Sequence, residues 1–310
     1  MGSWPRLVPS MFDLTFLGTS ASVPSPERNQ PGLLISAGRK RILLDCGEGT
    51  QRQLRMSGSG FRRLRRLLLT HGHLDHILGI PGLLSTLGLQ TGSEGVTVNG
   101  GARTLRVVAD MLAGLWGEGR APIPLELAPL TPGQRIDEGD FTIDCFPVEH
   151  RDTDSLGFVF KAAARRHLRP DRMSELRIPD GPVRKALAAG VAVTLDGRTI
   201  DPEDVLGPVT EGTKLVVIGD AGTTTGLVGP VRDADALVIE ATFLERDAAI
   251  ARTHGHLTAA EAATLALEAR VRRLILTHIS GRYPATDILS EAREIFPATV
   301  VAADLDRHLV

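Results

Sequence analysis

Thr70-His71-Gly72-His73-Leu74-Asp75-His76 is the stretch on which the reading of this chain turns. Before it, Leu67-Leu68-Leu69 is a short apolar run bounded by arginines, the pattern of a buried strand. If strand geometry persists through His73, then His71 and His73 face the same side, because side chains alternate along a strand. Asp75 and His76 follow at the turn leading into Ile77–Leu84. Two pairs of metal-capable groups on one corner suit two neighbouring ions better than one closed tetrahedral site. The alternative, a polar surface loop where histidines fall together by chance, fits poorly with only nine histidines in 310 residues.

His-x-His-x-Asp-His after a hydrophobic strand resembles the signature of the metallo-β-lactamase-fold hydrolases. That resemblance implies a fold and a metal site, but leaves the substrate to other residues.

Composition sets the bounds. A chain of 310 residues, 42% hydrophobic and 23% charged, can bury a sizeable core. No apolar run approaches the roughly 18 residues needed to cross a bilayer. Met1–Ser10 lacks the apolar centre of a signal peptide and reads as an N-terminal extension without fixed structure, with Met11 as the natural start. Two cysteines, Cys46 and Cys145, offer no disulfide framework, so a cytoplasmic setting is the default. The net charge of −2 does not advertise a nucleic-acid binder. Charge is nonetheless clustered. Arg52, Arg55, Arg62, Arg63, Arg65 and Arg66 form one basic band; Arg165, Arg166, Arg169, Arg172, Arg177, Arg184 and Lys185 form another. Either band can contact phosphates or be an ordinary solvated face.

Taken in order, Phe12–Leu17 alternates as a strand. Leu33–Ser36 and Arg41–Leu44 form a strand pair, and Thr50–Met56 a helix. Asp45, at the end of the second of these strands, either orients a metal-binding histidine from behind or caps that helix. Ile77–Gln90 and Ala102–Trp116 read as helices, and Phe141–Val148 as a strand delivering His150. The segment from Lys161 to Gly212 has little hydrophobic material and reads as an excursion from one main body, with a small hairpin around Asp196-Gly197. Lys214–Ile218, Ala236–Ile239 and Arg273–Leu276 are buried-type strands that end in Asp220, Glu240 and His278. Thr258 and Glu261 have capping-box spacing, which fixes the start of helix Ala259–Ala269 and so the position of His256.

The strand-end groups form one constellation. His71, His73 and His150 are assigned to one metal; Asp75, His76 and His278 to the other; Asp220 bridges them. A nitrogen- and oxygen-only donor set suits two divalent ions, Zn2+ or Mn2+. Such a pair can hold a hydroxide and clamp both oxygens of a phosphoryl displacement.

Pro24…Arg28-Asn29, Leu44-Asp45-Cys46-Gly47-Glu48-Gly49-Thr50-Gln51, His150, the Gly181-Pro182 excursion, Glu240-Ala241-Thr242, His256 and Thr277-His278-Ile279-Ser280-Gly281-Arg282-Tyr283 together resemble the short-form ribonuclease Z family, from about Met11 onward. The resemblance implies an α/β (α+β) four-layer αβ/βα sandwich. Residues 11–310 would form a single catalytic domain, with a flexible tRNA-binding arm inserted at about 161–212. It implies a zinc-dependent endoribonuclease that removes the 3′ trailer of precursor tRNA by attack of a metal-bridging hydroxide, leaving a 3′-hydroxyl. It further implies a cytoplasmic homodimer, with no membrane partner. Asp75, Glu240 and His256 are the implied catalytic residues, the last two as the proton-delivery pair. Arg28, Asn29, Gly181, Pro182 and Arg282 are the implied substrate contacts. The chain departs from the family pattern at Ala221-Gly222, Leu257 and Asn99-Gly100-Gly101, none of them a metal ligand; His254 and His167 match no role. The rival within the fold is a phosphodiesterase of small phosphate esters, which has no need of a basic arm. A glyoxalase-type thioesterase is disfavoured for the same reason. A non-catalytic RNA-associated metal protein has no use for the Glu240–His256 pair.

Overall fold

A computed structural model describes residues 11–90 and 95–310. The extension read over residues 1–10 lies outside them. The described residues apart from Lys161–Gly212 form one compact unit, and Lys161–Gly212 forms a second.

The first unit holds two seven-stranded sheets. In one, the spatial order runs Arg307–Leu309, Asp13–Gly18, Gly32–Ala37, Lys40–Leu44, Leu64–Leu68, Val96–Gly100, Leu125–Pro129. In the other it runs Thr299–Val301, Leu274–Thr277, Ala236–Glu240, Lys214–Val217, Leu156–Ala162, Phe141–Pro147, Arg135–Asp137. Helices Thr50–Met56, Ile80–Gly88 and Ala102–Trp116 pack on the first sheet through Leu54, Leu84 and Val108. Helices Ala259–Glu268 and Ala285–Ile295 pack on the second through Ala262, Ala266 and Ile288. Phe12 meets Phe141 and Phe160 edge-on, with centroids 5.5 and 6.0 Å apart, joining the sheets face to face. This is the four-layer sandwich that the resemblance implies.

Register explains why the functional groups share an edge. Lys40–Leu44 and Leu64–Leu68 run parallel with Leu44 opposite Leu68, so Asp45 and Thr70 leave the sheet at one level. In the second sheet Val217 lies opposite Val238, and Glu240 opposite Thr277, which brings Asp220, Glu240 and His278 to its C-terminal edge. Loops from the two sheets are stitched there: Ile279 N–H donates to Thr19 O at 2.8 Å, and Ala21 N–H to Ile279 O at 3.1 Å. Parallel strands buried on both faces need apolar residues throughout, and ligands gather beyond their carboxyl ends.

Two local readings change. The strand before the histidine motif ends at Leu68, and His73 is the extended residue preceding a one-turn helix, Leu74–Ile77. His71 and His73 therefore converge through a loop rather than by strand alternation. That helix is pressed so closely on the chain after Asp45 that a Cβ on Gly47 would lie 2.3 Å from Asp75 O, and one on Gly79 2.0 Å from Gly47 O. Only glycine fits at either position.

The second unit is richer in apolar packing than its sequence suggests. Met173, Ile178, Leu187, Ile200 and Val205 form a small buried core, drawn from helices Pro170–Glu175, Pro182–Ala188 and Pro202–Val205 and the hairpin Val193–Leu195/Arg198–Ile200. Strands Arg165–Leu168 and Leu206–Thr210 pair with each other, with Arg165 opposite Thr210. Asp196 and Gly197 both have positive φ, as a tight hairpin turn requires.

Candidate metal centre

Five histidines and two aspartates of the motif set come together at the shared edge of the two sheets. His71, His73, His150 and Asp220 form one group of donors and Asp75, His76 and His278 another, each with its atoms within 4.8 Å of one another. His71 Nε2 lies 2.9 Å and His150 Nε2 3.2 Å from His73 Nδ1. Donors on a tetrahedral cation at 2.0–2.1 Å would sit about 3.3 Å apart, so the three nitrogens already stand at near-coordinating separation. Asp220 divides its oxygens between the groups. Oδ2 faces His71 and His150 Nε2, both at 3.7 Å, and Oδ1 faces His76 and His278 Nε2, both at 3.3 Å. Asp75 Oδ2 completes the second group at 3.7 and 3.6 Å from the same two nitrogens.

The test of fit lies in the unpartnered atoms. His76 Nε2, His278 Nε2 and Asp220 Oδ1 are buried without a hydrogen-bond partner. Each such atom costs on the order of 1–3 kcal/mol if left bare. All three belong to the second donor group, and a divalent cation satisfies them together.

The opposite face of four imidazoles is pinned at Nδ1. His76 Nδ1 donates to Asp45 Oδ2 at 2.8 Å, and His150 Nδ1 to Gly255 O at 2.7 Å. His71 Nδ1 donates to Thr70 Oγ1 at 3.0 Å, which donates on to Asp45 Oδ2 at 2.8 Å. His278 Nδ1 donates to Thr242 Oγ1 at 2.9 Å, which donates on to Glu240 Oε2 at 2.5 Å. Fixing Nδ1–H leaves Nε2 as the free donor in each ring. Asp45 also accepts from Thr70 N, so it supports two histidines rather than capping the following helix.

The charges follow. Burial drives His71 well below its usual pKa, keeping it neutral, the form able to hold a cation. Burial opposes ionisation of Asp220 too, yet His278 and His76 hold it well below the carboxylate range. His256 is placed beside the centre, with Nδ1 3.0 Å from Oε1 of the fully buried Glu240. Burial alone would lower its pKa, but Glu240 outweighs it and pushes the ion-free imidazole up to about 9. His254 is exposed at a helix end.

The implied substrate contacts are scattered. Arg28 is turned inward: Nη1 donates to Thr19 Oγ1 at 2.6 Å and Ala302 O at 2.7 Å. Asn29 N and Gln53 Nε2 both donate to Asp304 at 2.7 Å. This network anchors a loop whose Ser22 N–H donates to Asp75 Oδ2 at 3.1 Å. Arg282 is exposed in the turn after His278, and Gly181 and Pro182 open a helix of the second unit. The sequence reading gave no role to Thr70, Thr242 or Asp304. Thr242 stands inside a motif already quoted, whereas a single acid near the chain end carries no signal.

Fold and donor set define a metal-dependent hydrolase of the metallo-β-lactamase class. A β-lactamase superfamily domain model matches residues 175–279, and the model of the anti-Pycsar protein Apyc1 matches residues 12–117. The chain is 67% identical to a ribonuclease Z of Bradyrhizobium diazoefficiens over 97% of its own length and 100% of the relative's. It is 39% identical to a ribonuclease Z of Archaeoglobus fulgidus, with 95% and 96% covered. Human short-form tRNase Z superposes with a TM-score of 0.64 at 26% identity, covering 96% of this chain and 98% of the human one. The chain belongs to the ribonuclease Z family.

Proposed function

We propose that this chain is the tRNA 3′-processing endoribonuclease, cutting precursor tRNA so that a 3′-hydroxyl remains on the tRNA. The observation that carries the reading is Asp220, whose two oxygens face two separate histidine groups at the edge of a ribonuclease Z-family fold. In this proposal His71, His73, His150 and Asp220 hold one divalent ion, and Asp75, His76, His278 and Asp220 a second, zinc at both. When bound, such ions supply water activation and polarisation of phosphoryl oxygens.

The chain's own residues do the rest. Glu240 holds His256 through Nδ1, so the ring's Nε2–H points away from the carboxylate as a proton donor. That proton goes to the 3′-oxygen of the tRNA as its bond to phosphorus breaks, so the tRNA keeps the hydroxyl and the trailer the phosphate. Thr242 links the same Glu240 to His278, so one carboxylate sets the orientation of both the acid and a metal ligand. Arg28 and Asn29 shape the loop over Asp75, and Arg282 contacts RNA phosphate. The unit Lys161–Gly212, with Gly181 and Pro182 at a helix start, serves as the tRNA-binding arm, acting across a cytoplasmic homodimer.

Precursor tRNA bearing a 3′ trailer, incubated with the purified chain, is expected to yield mature-length product. A chelator should abolish the cut and zinc restore it. Hydrolysis of bis-p-nitrophenyl phosphate with the precursor left intact would overturn the reading in favour of a small-ester phosphodiesterase.

A further inference from the structure

Part of the first basic band, Arg63, Arg65 and Arg66, takes no part in the chemistry above, and the fold sets it beside Arg39, Lys40 and Arg41. Lys40 and Arg41 begin one strand, and Arg65 and Arg66 lie near the start of its parallel neighbour. Asp45 and the donor His71 follow the other ends of those strands. A five-residue strand is about 17 Å long, so the band is removed from the metal centre by that order of distance. There the chain forms a cleft of about 530 Å³ whose wall includes Arg39, Lys40, Arg41, Arg63, Arg65 and Arg66.

One carboxylate faces these six cations from the cleft wall, Glu138. It takes Lys40 Nζ at 2.7 Å and Arg66 Nε at 2.9 Å. Arg41 Nη1 is bound by the carbonyls of Ser59 and Arg62. Three of the cations are thus held in place by the protein. Arg39 and Arg63 are exposed, and among the described residues neither forms an ion pair. Gathering so many like charges in a chain of net charge −2 raises the energy of the empty cleft, and a cleft lined by one sign focuses its field on any anion. Guanidinium forks match phosphate geometry, and pre-set ones lose little side-chain entropy on binding. The volume lies in the range of small-ligand sites.

We propose that this cleft is a second anion site, taking clustered phosphates remote from the scissile bond. They come from the backbone of the RNA substrate or from a free nucleoside polyphosphate. The RNA source rests on the function proposed above. An RNA duplex advances about 3 Å per base pair, so the stem of a bound precursor is long enough to span the separation.

The test uses the metal-loaded full chain and the double variant Arg39→Gln/Arg63→Gln, whose positions are exposed. Hydrolysis of bis-p-nitrophenyl phosphate should be unchanged, which reports an intact fold and metal centre. If RNA fills the cleft, the variant binds precursor tRNA about tenfold more weakly at low salt, and the slope of log K against log salt becomes shallower by about 1.5–2. If a nucleotide fills it, equilibrium dialysis finds an ADP site on the parent chain that the variant lacks, with tRNA binding unaltered. Parent and variant alike toward both ligands would overturn the site. Failure of the parent chain to cleave precursor tRNA would instead strike the function proposal, and the ADP arm would still decide the cleft.

Discussion

The metal-site body and the segment Lys161–Gly212 satisfy their polar groups in opposite ways. In the body, His71, His76, His150, His278 and Asp220 are all at most 3% exposed, and every imidazole among them is braced through Nδ1 by a carbonyl, a carboxylate or a threonine. What remains bare is aimed at one point. In the segment, Arg166 pairs with Glu203, Arg169 with Asp171, Arg172 with Glu175 and Arg184 with Asp180, all near the surface. Exposed pairs of this kind contribute little to stability and exchange readily for other partners. On the function proposed above, the difference separates two jobs. Chemistry needs donors fixed to within tenths of an ångström, whereas phosphate recognition needs charge that can be re-paired.

The comparison breaks first at Asp220, where the largest effect is expected. Asp220→Ala removes the oxygens facing both histidine groups, so the purified variant should lose bound metal and precursor cleavage together. Metal analysis with a cleavage assay reads this, and full activity without metal would refute the bridging role. His256→Ala comes next. It should retain metal yet slow cleavage by about 10²–10⁴-fold, the usual contribution of a positioned acid. His254→Ala should be nearly silent, and a reversal between the two would mean the wrong histidine has been given the proton.

The smallest effect concerns the rigidity of the body's edge. Tyr283 is the chain's single tyrosine, buried, with its hydroxyl donating to Asp247. Burial and that bond raise its pKa to about 12. A folded pKa above the unfolded value near 10 means a contribution present below pH 10 and lost as pH rises through about 12. Tyrosinate absorbance should therefore titrate near pH 12 in the native chain and near 10 in denaturant; a native midpoint near 10 would show the edge to be loose.

Much of the body was legible because its central strands end in buried apolar runs that give way to Asp45, His71, Asp220, Glu240 and His278. A buried parallel strand leaves that mark in a sequence. The capping box was legible too, and both its bonds form between Thr258 and Glu261. The strands Leu125–Pro129, Arg135–Asp137 and Arg307–Leu309 were not, being short edge strands that bury no residue fully. The hydroxyl relays through Thr70 and Thr242 were hidden because threonine is an ordinary strand residue whose partner is set only by the loop beyond it. The core of the segment escaped notice because Met173, Ile178, Leu187, Ile200 and Val205 come from several short elements and share no period.

The most direct test of the division between body and arm is to excise the segment. Arg165 opposes Thr210 in an antiparallel pair, so a brief glycine linker can rejoin the chain there. The excised protein should hydrolyse bis-p-nitrophenyl phosphate within about twofold of the parent, while precursor tRNA cleavage falls by about 100-fold or more and its binding loses most of its salt dependence. Equal losses on both substrates would contradict the account, making the segment a support of the fold rather than an RNA-binding arm.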